Sequence, residues 1–163
     1  MVRKLIWIFA GLTLSLQFAI AYVLRDLGEG AAIQIIKFQT TLDPNYFKSV
    51  LESWGPQGVQ IFLRHYYFDF FYPIAYSGLL TVSIFIIFPR SRKLFIIPIV
   101  AGIFDIVENI AHISLIHNEK LLDTSVFYLG AISAILKWLL IILSLALIIF
   151  GVIRKAKRPA TIS

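Results

Sequence analysis

Four long apolar runs, separated by polar segments, organise the chain. They extend from Leu5 to Leu24, from about Phe68 to Phe88 with Pro73 inside, from Leu94 to Ile116, and from about Ala131 to Val152. A helix needs about 20 apolar residues to cross the hydrocarbon core of a bilayer, and each run is close to that length. The runs are continuous and do not alternate, which argues against transmembrane strands. The pattern predicts an all-α protein, an integral membrane four-helix transmembrane bundle in which residues 1–163 form a single transmembrane domain.

Residues 25–67 are predicted as a long outer loop between spans one and two. Loops of that length usually carry structure or function of their own. Asp43-Pro44 reads as an N-cap followed by proline at the first helical position, and Gly55-Pro56 as the end of that short helix. Tyr46, Phe47, Val50, Leu51 and Trp54 make it amphipathic, so it either lies on the membrane surface or lids the bundle. The loop after Ile116 is short and polar and reads as a connector.

Charge orients the spans. Arg3 and Lys4 precede span one, Arg90, Arg92 and Lys93 fill the link between spans two and three, and Arg154, Lys155, Lys157 and Arg158 follow span four. None of these segments holds an acid, whereas the other two loops mix both signs. The positive-inside rule gives N-in, C-in throughout. Arg3, Lys4, the apolar run and Ala19-Ile20-Ala21 also fit a signal peptide. The run continues through Tyr22, Val23 and Leu24, which favours an uncleaved anchor.

Composition agrees. Of 163 residues, 59% are hydrophobic and 15% charged, too few charges to clothe a water-facing surface of this size. The net charge of +6 is a topology signal with some attraction for anionic lipid, and no basic domain outside the membrane is left to bind nucleic acid. With no cysteine, disulfides, thiolate metal sites and a cysteine nucleophile are excluded. The expected location is a cell membrane, with a bacterial cytoplasmic membrane fitting the signals best, and the expected partners are membrane lipids, an amphiphilic ligand and further copies of the chain.

Polar residues inside the runs supply the candidate chemistry. In span three, Asp105, Glu108, Asn109 and His112 fall within an arc of about 100°. Span two and its upstream extension carry His65, Asp69, Tyr72, Pro73 and Tyr76 on a similar arc, span four has Lys137, and span one has Gln17 with Thr13 one turn away. Measured at about 1.5 Å per residue, all four spans place polar groups in one layer from mid-membrane to the outer face. Charges at such depth cost several kcal/mol and turn towards a bundle interior or a wet cavity. The layer sets Asp69, Asp105 and Glu108 against the single lysine Lys137. Either some acids hold protons, or a cation shares the site.

Lys137 with Asp105 or Glu108 reads equally as a structural ion pair. Asp105 and Glu108, two acids one turn apart, form the candidate acid/base or cation-binding pair. Asp69, Tyr72, Tyr76, Asn109, His112, Lys137 and Gln17 are expected to line a pocket around them. His65, Asp69, Glu108 and His112 offer nitrogen and oxygen ligands suited to zinc or another divalent ion, although the spacing is unspecific and no H-E-x-x-H motif is present. No cofactor is identified. No G-x-S-x-G, P-loop or dinucleotide fingerprint occurs.

The order Ser53-Trp54-Gly55-Pro56, then Asp69, Pro73 and Tyr76, then Asp105-Ile106-Val107-Glu108-Asn109, then a lysine early in span four, resembles a family of small four-span bacterial membrane proteins. The resemblance covers most of the chain, and D-x-x-E-N is its most distinctive element. That family has no assigned activity, so the resemblance implies a site and not a function. In architecture alone, the chain is similar to the sterol-isomerase and sigma-2-like (EXPERA) proteins, where membrane carboxylates meet the amine or cation of an amphiphilic ligand. The first functional expectation is binding, and in its stronger form conversion, of a lipid-like or amphiphilic small molecule. The alternatives are a proton- or cation-coupled transport or accessory subunit, and a structural membrane protein whose polar layer only packs helices.

Overall fold

A computed structural model describes residues 2–157, which form an all-helical chain with no strand among the described residues. Arg158, the last of the basic residues after the fourth apolar run, lies outside them. The helices are α1 (Val2–Leu24), α2 (Ala31–Thr40), α3 (Pro44–Asp69), α4 (Tyr72–Ile87), α5 (Ile96–His117) and α6 (Ser125–Ala156). Three of them, α1, α5 and α6, are long and apolar enough to cross a membrane, and α3 with α4 qualifies as a pair bent by 43°.

Local chemistry sets these boundaries. The Asp43 carboxylate accepts the Asn45 N–H at 2.9 Å, with Pro44 opening α3. Gly55 then leaves the helical region (φ 61°), and Pro56 opens a second helical segment within α3. A left-handed residue breaks the ladder, and proline fits the first turn of the second segment because its missing N–H has no partner there. Thr124 caps α6 through its hydroxyl, which accepts the Val126 N–H. At the opposite end of the bundle the Lys155 ammonium donates to the Ile86 carbonyl at 2.9 Å, satisfying one of the last carbonyls of α4.

Two expectations are corrected here. Residues 25–67 are not a loop with one short helix, because α2 and the whole length of α3 up to Asp69 are helical. The second apolar run is not one helix kinked at Pro73. The helix breaks at Phe70 and Phe71, and Pro73 stands in the first turn of α4. Helix α2 forms because Ala31, Ile35 and Phe38 bury one face, whereas at Pro56 and Pro73 proline removes the bond to residue i−4, so the chain breaks before it and restarts around it.

Packing makes α4, α5 and α6 a three-helix core, with α1 against α4 and α3, and α2 against α6. Small residues allow the close approaches. A Cβ on Gly102 would lie 3.1 Å from the Ser77 hydroxyl and 3.2 Å from the Pro73 carbonyl, and one on Gly130 would lie 3.1 Å from the Ala111 Cβ. The amphipathic start of α3 lids the bundle. Phe47 and Val50 are buried in a cluster with Phe38 of α2, Phe62, Leu115 and Phe127. Phe38 stacks on Phe47 at 4.1 Å, and the Trp54 indole donates to Gln34 at 2.9 Å, tying α3 to α2.

Candidate functional site

The D-x-x-E-N turn of α5 faces α6 and the α3–α4 break. Asp105 and Glu108, one turn apart, both reach across to Lys137 of α6. The Lys137 ammonium donates to Asp105 Oδ1 at 3.0 Å and lies 2.6 Å from Glu108 Oε2. The second contact is short but off the hydrogen-bonding direction, so it acts as charge attraction. All three groups are buried, Glu108 completely. The lysine thus offsets the repulsion that two acids at this spacing would otherwise suffer.

Asn109 has a different task. Pro73 has no N–H for the carbonyl four residues before it, that of Asp69. The Asn109 side chain donates to this freed carbonyl at 3.2 Å, joining α5 to the break between α3 and α4. The Asp69 carboxylate faces His65 of the same helix, with Nε2 at 3.8 Å. The other ring nitrogen, His65 Nδ1, bonds the Phe62 carbonyl. A carbonyl only accepts, so the ring proton belongs on Nδ1 and Nε2 is left facing the acid. On α5 the order is reversed, acid before histidine, with His112 Nδ1 3.6 Å from Glu108 Oε1. Its ring lies against Phe38 and Phe47, which close it off.

A cavity of about 410 Å³ runs beside this cluster. The expected pocket residues divide into two groups around it. Gln17, Asp69, Tyr72, Tyr76, Asp105 and Lys137 line it, together with His65. Glu108, Asn109 and His112 do not, and are buried behind the wall. Among the described residues, Asn109 Oδ1 and His112 Nδ1 behind the wall are buried without hydrogen-bond partners. Among the described residues, no three His, Asp or Glu side chains are grouped to hold a metal ion. His65–Asp69 and Glu108–His112 stand as two separate pairs.

Helix α2 supplies the part of the site that sequence reading passed over. Ala32, Ile35, Ile36 and Gln39 line the cavity, and Gln39 is buried. The available signal was Ala31, Ile35 and Phe38, apolar at spacings of four and three. Comparison with family models, curated proteins and solved structures gives no match for this chain.

Proposed function

We propose that the chain is a four-span, N-in, C-in protein of the cell membrane that binds an amphiphilic small molecule in the cavity beside Asp105 and Lys137. The topology draws on the bent α3–α4 pair as one span. It also draws on exposed Arg90, Arg92, Lys93, Arg154, Lys155 and Lys157 at one end of the bundle, against mixed charge such as the Lys48–Glu119 pair at the other. The observation that carries the binding reading is the cavity itself. Its volume of about 410 Å³ lies in the usual small-molecule range. Its wall is apolar along Ile20, Leu24, Leu80 and Ile141, and polar where Asp69, Tyr76, Asp105 and Lys137 converge. Such a wall suits a ligand with one polar and one apolar part.

Within the acid pair the roles separate. Asp105 lines the cavity and is the acid a ligand meets. Glu108 lies behind it and holds Lys137 in place from the other side. Tyr76 offers a hydroxyl in the cavity wall, and Tyr72 stands beside it with ring centroids 5.3 Å apart. Native mass spectrometry of gently solubilised protein tests this reading. Wild type is expected to carry a discrete adduct, and Asp105→Asn to lose it while eluting as folded protein. Retention of the adduct by Asp105→Asn would sink the assignment.

A second reading, a proton- or cation-coupled subunit, draws on the same cluster. Asp105 and Glu108 share one lysine, and Asp69 and Glu108 each sit beside a histidine. Four spans are few for a lone transporter, so this reading needs an oligomer. Strictly monomeric behaviour in lipid nanodiscs counts against it.

A further inference from the structure

The cavity has an open side. Helix α1 packs on α4 and α3, while α6 packs on α5, α4 and α2, so α1 and α6 face each other across the cavity. Residues lining that gap are themselves open to the surroundings. Gln17 of α1 is exposed, Trp138 of α6 is 38% exposed and Leu145 is 45% exposed. These positions lie well inside both helices, not at their ends. Outside the gap the same two helices present Leu14, Phe18, Ile142 and Ile149, an apolar surface suited to lipid.

The lining is also graded along the helices. Lys137, Ile141 and Leu145 follow one another at four-residue intervals down α6. Eight residues of helix span about 12 Å, so the polar corner continues into an apolar track of that length. On α4 the order is the same: Tyr72 and Tyr76 first, then Leu79 and Leu80. Beyond the polar corner α2 lines the cavity with Ile35 and the buried Gln39, while Ala32 and Ile36 are exposed.

We infer that the ligand is a single-chain lipid that enters sideways from the bilayer through the gap between α1 and α6. Its chain lies along the Ile141–Leu145 track, and its polar head reaches the Asp105–Lys137 corner and the Tyr76 hydroxyl. This rests on the reading that the cavity binds an amphiphile, and it adds the shape of the ligand and its route. A compact water-soluble amphiphile would leave the track empty.

Two experiments on the full chain in phosphatidylcholine nanodiscs test it. In the first, monomyristoylglycerol and monobutyrylglycerol, which share a head and differ in chain, are titrated and retention is read by native mass spectrometry. Wild type is expected to retain the long-chain probe at least about tenfold better than the short one after correction for partitioning into lipid. Equal retention would leave amphiphile binding standing and overturn the single-chain inference. Retention of neither would overturn both.

The second experiment uses the absence of cysteine from the chain. Leu145→Cys places one thiol in the gap, and Ile149→Cys places one on the lipid-facing surface, where Ile149 is 59% exposed. Both thiols are expected to react with a lipid-soluble maleimide and neither with a charged one. Monomyristoylglycerol should slow the reaction at position 145 alone. Rapid reaction of the thiol at position 145 with the charged reagent, or equal slowing at both positions, would overturn the lateral route.

Discussion

Lys137 sits between two acids that the same helix holds one turn apart, at 3.0 Å from Asp105 and 2.6 Å from Glu108. A buried ion pair contributes little relative to an apolar replacement of the whole group, but losing one partner leaves uncompensated charge. Lys137→Met is therefore expected to destabilise the protein by about 3–5 kcal/mol. Adding Glu108→Gln should recover part of that loss, because one of the two stranded charges goes with it. Unfolding in mixed micelles of wild type, both single variants and the double variant measures this. Additive losses would show that the contact is incidental. At this scale the sequence already indicated that Asp105, Glu108 and Lys137 belong together, since their depths and helical faces agree. It did not separate Asp105, in the cavity wall, from Glu108, behind it. The difference depends on how α6 crosses α5, where Gly130 lets the helices close to contact.

At the scale of elements, the join between α3 and α4 is the least regular part of the core. Its freed Asp69 carbonyl is satisfied from α5 by Asn109. Asn109→Leu is expected to cost about 0.6–2 kcal/mol, the range for hydrogen bonds between helices in membranes. In a Pro73→Ala background residue 73 regains an N–H that can serve the same carbonyl, so the cost of Asn109→Leu should shrink. Thermal unfolding of the four proteins of this cycle provides the check, and an unchanged cost would refute the link. Pro73 and Asn109 were each visible as unusual residues in apolar runs. That Asn109 can bridge helices and that Pro73 frees a carbonyl were also legible; that Asn109 serves that very carbonyl was not, because the two lie 36 residues apart on separate helices. Helix α2 went unread for a simpler reason. Ten residues with mixed charge nearby resemble a loop until Phe38, fully buried, is seen packed on Phe47, Phe62 and His112.

For the whole molecule, the proposed topology sets the link before α5 and the link before α6 on opposite sides of the bilayer. Single cysteines in this cysteine-free chain report that directly. In intact cells, Ser91→Cys is expected to resist a membrane-impermeant maleimide and Lys120→Cys to react with it. Labelling of both, or of neither after permeabilisation controls, would refute the four-span N-in, C-in arrangement.

By itself the sequence determined that the protein is helical, that its helices are apolar enough for a membrane, and which polar side chains break that apolarity. Those properties follow from composition and period along one helix at a time, and burial of a charge is costly enough that its position is informative wherever it occurs. Only the tertiary structure decided which of those side chains meet, which face a cavity, and that α1 and α6 leave a gap between them. Those outcomes depend on crossing points set by glycines, a proline break and an aromatic lid on separate elements, and no period within a single segment encodes them.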